Sequence, residues 1–149
     1  MLECNCKAFN TDFEFQHENR KVVTFKDKGS ATYKYPNKDN NHLAKYRVDG
    51  GLIADKGKKC DYLLLNCERK SSYFIELKGS DISHAIDQIE RSIDELKKNL
   101  PNFSVFARIV LTRVNTTHLI DCKLKKLEKK VELLNGNLMK SSGSFEEPV

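Results

Sequence analysis

At 149 residues the chain has room for one domain with a sizeable core, and too few for a catalytic domain joined to a separate sequence-reading domain. With 39% hydrophobic and 32% charged residues it reads as globular, and no apolar run approaches the roughly 18 residues that a membrane-crossing helix needs. A formal net charge of +5 is compatible with a polyanionic partner without requiring one.

Met1 to Asn10 carries polar and charged residues where a secretory leader needs an apolar stretch, so a cytoplasmic, intracellular location is expected. The cysteines are odd in number, Cys4, Cys6, Cys60, Cys67 and Cys122, and in the absence of a leader they are expected to be free thiols. Cys4-x-Cys6 lacks the two-residue spacing of a zinc knuckle and has no second pair, which argues against zinc. Phe9, Phe13 and His17 recur at helical spacing and predict a short N-terminal helix, with Glu14 and Glu18 on its other faces. Val22 to Phe25 and Ala31 to Tyr35 predict a hairpin turning through Lys26-Asp27-Lys28-Gly29, and Pro36 to Asn41 is a loop by composition. Tyr46 to Ile53 predicts a strand, with Gly50-Gly51 marking a bulge or a close backbone approach. Asp55-Lys56-Gly57-Lys58-Lys59 is a basic turn leading into Cys60-Asp61. It suits the gathering of a polyanion, and equally a solvated hairpin loop.

The most informative stretch follows. Cys60-Asp61-Tyr62-Leu63-Leu64-Leu65 and Tyr73-Phe74-Ile75-Glu76-Leu77-Lys78 predict two adjacent strands, antiparallel because only Asn66 to Ser72 joins them. Strand side chains two apart share a face, which groups Glu76 with Lys78, and pairing the strands carries Asp61 to the same end. Two carboxylates about 4 Å apart repel by roughly 4 kcal/mol at an effective dielectric near 20, and a single lysine offsets only part of that. A hard divalent cation removes the conflict, magnesium being commonly held by one or two carboxylates and water. An ordinary surface hairpin with a Glu-Lys pair is the plainer alternative.

After Gly79, Ser80 or Asp81 offers a helix N-cap, and Ile82, Ala85, Ile86, Ile89, Ile93, Leu96 and Leu100 form an apolar stripe that Pro101 ends. Gln88 falls beside the stripe and His84 on the polar face. Phe103 to Thr112 predicts a buried strand, parallel to the Tyr73–Lys78 strand because a helix separates them. A last helix over Thr117 to Leu134 carries Ile120, Leu124, Leu127, Val131 and Leu134 on one stripe amid lysines, for packing on the sheet or across a dimer. Lys140 to Val149, with Ser, Gly and Pro, reads as a loose tail. The reading is α/β: one domain over residues 1–140 and a tail over 141–149.

Asp61, then Glu76-x-Lys78 on the next strand, then a helix, resembles the PD-(D/E)xK nuclease superfamily, with a resolvase-like branch suggested by Gln88. Cys60 stands where the family name has proline, and Ser92 where the fuller branch pattern has tyrosine. The resemblance implies a restriction-endonuclease-like core, a mixed central sheet flanked by helices in the order α-β-β-β-α-β. It implies a magnesium-dependent endonuclease acting on DNA, with manganese able to substitute. Asp61, Glu76 and the Leu77 carbonyl would hold the metal, Lys78 would serve the attacking water, and Gln88 would support Lys78 or a metal-bound water. A helical glutamate, Glu14 or Glu18, would complete the metal site in some members. Asp49 would approach the catalytic end and Arg47 would meet a phosphate, with Lys58 and Lys59 near the nucleic acid. The remaining expectations are a homodimer as a compatible assembly, and two rivals: a catalytically silent module of the same fold, or an RNA-cleaving member.

Overall fold

Period-two burial organises the first half of the chain. In Val22–Lys26 (β2) and Thr32–Pro36 (β3) every second side chain is the buried one, placing Val23, Phe25, Tyr33 and Tyr35 inside. The two strands pair antiparallel from Val22↔Pro36 to Lys26↔Thr32, as the sequence predicts. The computed structural model describes residues 8–9, 14–18, 21–26, 31–78, 81–112 and 118–148, and of these only the backbone at 14–18, 78 and 118–121.

The larger sheet has six strands in the order β1-β4-β5-β6-β7-β8. They are Glu14–Glu18 (β1), Leu43–Arg47 (β4), Tyr62–Asn66 (β5), Ser71–Lys78 (β6), Ser104–Leu111 (β7) and Leu138–Ser142 (β8). From β1 to β6 the neighbours are antiparallel; β6–β7 and β7–β8 are parallel. Each parallel step contains a helix, Ile82–Leu96 (α1) and His118–Glu132 (α2), because parallel neighbours need a long connection. Ser144–Glu146 (β9) leaves the large sheet and joins β3 in parallel, completing a smaller sheet of order β2-β3-β9. The protein is thus mixed α/β, with two sheets and two helices among the described residues.

Both faces of the large sheet are covered. On one, Ile82, Ala85, Ile86, Ile89 and Ile93 of α1 cluster with Leu63, Leu65, Phe74, Ala107 and Ile109. On the other, Phe25, Tyr33 and Tyr35 of the small sheet cluster with Leu64, Tyr73, Ile75, Leu77 and Val110. Double coverage is why β5, β6 and β7 read as continuous apolar runs. Asp81 caps α1, its Oδ1 accepting the His84 N–H at 3.0 Å, and a 3₁₀ turn over Lys97–Asn99 closes the helix. Among the described residues no helix is long and apolar enough to cross a membrane.

Four expectations need correction. The described part of the anticipated N-terminal helix, Glu14–Glu18, is an edge strand on β4; so short a segment satisfies either period, and the open hydrogen-bonding groups of β4 decide. The strand expected over Tyr46 to Ile53 instead runs Leu43–Arg47. Gly50, at φ +77°, belongs to a turn in which the Gly51 and Ile53 N–H groups both donate to Val48 O, so the strand ends before it. Residues 141–149 do not read as a loose tail up to Pro148: β8 and β9 pair with β7 and β3, and Glu147 is buried. Its serines and glycine suit a linker, but a vacant sheet edge and a buried cation capture it. Finally, Cys67 is disulfide-bonded, while Cys60 and Cys122 are free.

Candidate functional site

The β5–β6 register settles where the two acids lie. Tyr62 pairs with Ile75, so Asp61, one step before β5, lies beside Glu76 and Leu77. Its backbone still bridges both neighbours: Asp61 N–H donates to Ile75 O at 3.2 Å and Val48 N–H donates to Asp61 O at 2.9 Å. The side chain completes the link, Asp61 Oδ2 accepting the Leu77 N–H at 2.8 Å. Glu76 shares the helix-facing side of β6 with Phe74 and is 0% exposed, whereas Asp61 is half-buried. Lys78 follows at the end of β6, its backbone opposite Leu111; its side chain lies outside the described residues.

Helix α1 closes over this end of the sheet through a polar contact. Cys60 N–H donates to Ser92 Oγ at 2.8 Å, and Ser92 Oγ–H donates to Gln88 O at 2.8 Å, tying the residue before Asp61 to the helix. Gln88, expected beside the apolar stripe, is buried at 9% exposure, and its Oε1 meets no hydrogen-bond donor among the described residues. Burial pushes the Cys60 thiol pKa up; the Ser92 contact opposes this, and the charges of Glu76 and Asp61 add to it.

The opening lies on the other side of Asp61. Arg47, Asp49, Asp61 and Tyr62 line a depression of about 100 Å³. Lys59 Nζ stands 3.7 Å from Asp49 Oδ1, so Arg47, Asp49 and Lys59 do gather near Asp61. Lys58 does not join them: it pairs at 3.1 Å with Asp87 of α1, which Lys123 of α2 also meets at 2.8 Å. Glu14 and Glu18 lie on strand β1 rather than on a helix, and their side chains are outside the described residues. Sequence reasoning missed Tyr62 and the Cys60–Ser92 tie. Alternation from Asp61 was enough to put Tyr62 on the opposite face, but the tie depends on which turn of α1 reaches β5.

For a divalent cation the donors are hard oxygens: the carboxylates of Asp61 and Glu76 and the Leu77 peptide carbonyl. That set fits magnesium or manganese, which keep several waters, better than a metal needing a full protein cage. Among the described residues there is no group of three or more His, Cys, Asp or Glu able to hold a metal. No protein-family model, curated protein or solved structure matches this chain.

Proposed function

We propose that the chain is a divalent-metal-dependent nuclease with a restriction-endonuclease-like core, hydrolysing DNA phosphodiester bonds. The observation that carries this reading is Asp61 joined to the Leu77 peptide, with Glu76 on the neighbouring position and Asp61 opening onto the surface depression. Supporting it is the order β4-β5-β6-α1-β7, two antiparallel steps followed by a helical crossover to a parallel strand, which is the β-β-β-α-β core that the resemblance implies.

In this reading Asp61, Glu76 and the Leu77 carbonyl hold magnesium, with manganese as a substitute. When bound, the ion supplies positive charge against the anionic phosphate and lowers the pKa of water. Lys78 takes up or orients the proton of the attacking water and neutralises phosphate charge. Gln88, from the covering helix, orients Lys78. Full burial of Glu76 excludes bulk water from that carboxylate and strengthens its pull on any cation that reaches it.

The same burial favours a second reading, a catalytically silent module that binds nucleic acid or protein, because only one of the two acids reaches the depression. Incubating the protein with plasmid, linear duplex, branched DNA and RNA, each with Mg²⁺, Mn²⁺ or chelator, separates these readings. Metal-dependent DNA cleavage is expected. Lys78→Ala and Asp61→Asn are each expected to reduce it roughly a hundredfold or more with folding retained, and Asp61→Asn to weaken Mn²⁺ binding measured by titration calorimetry. Cleavage of RNA alone reassigns the substrate; no cleavage of any substrate leaves the binding module; and a Lys78→Ala rate equal to the parent's removes the catalytic assignment.

A further inference from the structure

The depression beside Asp61 has a second wall that the catalytic reading leaves unused. Arg47 ends β4, is exposed, and carries its Cζ 5.8 Å from the centre of the Tyr62 ring. On the same strand Lys45 holds its Nζ 4.3 Å from the Phe25 ring and 5.2 Å from the Tyr62 ring, anchored by a 3.1 Å bond to Thr24 O. Tyr62 is itself fixed, packing edge-on to Phe25 with centroids 5.3 Å apart and donating its hydroxyl to Lys26 O at 3.4 Å. Two cations are thus seated on a rigid aromatic step that leads from β2 to Asp61.

We propose that Arg47, braced on Tyr62, is the clamp for the DNA phosphate adjacent to the one that is cut, with Lys45 meeting the next phosphate along the same strand. The inference rests on the nuclease reading for its ligand. Arg47 and Asp61 line one depression, so a phosphate held by Arg47 brings its neighbour to Asp61. A guanidinium presents planar paired donors that match phosphate oxygens, and the ring beneath it limits the rotamer freedom lost on binding. Residues 45 and 47 point to one face of β4 and lie about 6.6 Å apart along it, a spacing comparable to that of successive phosphates on an extended strand. Asp49 and Asp61 repel DNA at the same place, so the clamp also fixes where the strand sits: phosphate toward Arg47, and toward Asp61 only when a cation is present.

The test is binding of a fluorescein-labelled single-stranded DNA oligonucleotide by anisotropy, in chelator, over a range of salt. Each phosphate contact on a single strand contributes about 0.7 to the slope of log affinity against log salt. Arg47→Gln and Lys45→Gln are each expected to lower the slope by about that amount, and Arg47→Lys to keep the slope while binding more weakly. Lys98→Ala, at the exposed 3₁₀ turn after α1, is expected to leave both unchanged. Circular dichroism checks that each variant is folded. An unchanged slope in a folded Arg47→Gln, Lys45→Gln double variant overturns the clamp, even if the parent cuts DNA. A reduced slope in a protein that cuts nothing sustains the clamp and removes only the hydrolase.

Discussion

At the residue scale, the most consequential buried charge is Arg108, in the middle of β7. Its Nε and Nη2 donate to the two oxygens of Glu147 at 2.7 and 2.9 Å, and the Tyr33 hydroxyl donates to Glu147 Oε1 at 2.6 Å. Arg108 also gives Nη1 to the Ala107 and Asn137 carbonyls, tying β7 to the segment that leads into β8. A bidentate pair this deep is stable only while both partners remain. Glu147→Ala is therefore expected to cost about 3–5 kcal/mol by leaving a buried guanidinium uncompensated, read as a lower urea midpoint. Replacing both partners together, Arg108→Met with Glu147→Leu, is expected to cost clearly less; equal losses would show that the pair is not what holds the segment. Neither residue stood out in the sequence, because a lone arginine in an apolar strand and a glutamate shortly after Ser-Gly-Ser gain meaning only when the C-terminal segment folds back on β7.

At the element scale, the catalytic candidates were legible because they sit on the best-patterned elements. The two apolar runs around Asp61 and Glu76, and the α1 stripe, each bury against a broad neighbour, so period and partner agree. The passage from α2 to β8 was not legible. Gly136 follows α2, and a Cβ built there would run into the backbone carbonyl of Val105 in β7. Gly136→Ala must therefore push α2 and β8 away from β7, an overpacking that costs roughly 1–3 kcal/mol or more. A lowered thermal midpoint checks this, and an Ala variant as stable as the parent would mean the junction relaxes freely. The Ser92 tie is of the same kind: a serine in a helix is ordinary until the fold brings Cys60 N–H against it.

At the scale of the whole molecule, each core buries groups whose ionisation ties stability to alkaline pH. Burial raises the pKa of Cys60 in the helix-side core, and of Tyr33 and Tyr73 in the inter-sheet core, where Glu147 adds to the effect on Tyr33 and Tyr35 to that on Tyr73. In the unfolded chain these groups ionise near their ordinary values, 9.0 for the thiol and 10.0 for the phenols. Folded, they keep their protons to higher pH, so the unfolded state gains stability as it deprotonates. The stabilisation is complete below about pH 9 and is lost as pH rises beyond it. Urea midpoints measured from about pH 7.5 to about pH 10.5 are expected to hold level and then fall; midpoints that stay flat to the alkaline end would mean these groups are solvated.

Local pattern was enough for the β2–β3 hairpin, the β5–β6 pair that brings Asp61 beside Glu76, α1 with its cap, and β7 parallel to β6. These are short-range matters, in which side-chain period and connection length leave few alternatives. Tertiary structure alone decided the edges and the closures. Glu14–Glu18 became a strand because β4 had a free edge, residues 138–147 became order because β7, β3 and Arg108 waited for them, and Tyr62 met Arg47 because β4 and β5 pair in one register. Each depends on a partner far away in the chain, and a pattern read along one segment holds no record of what lies across from it.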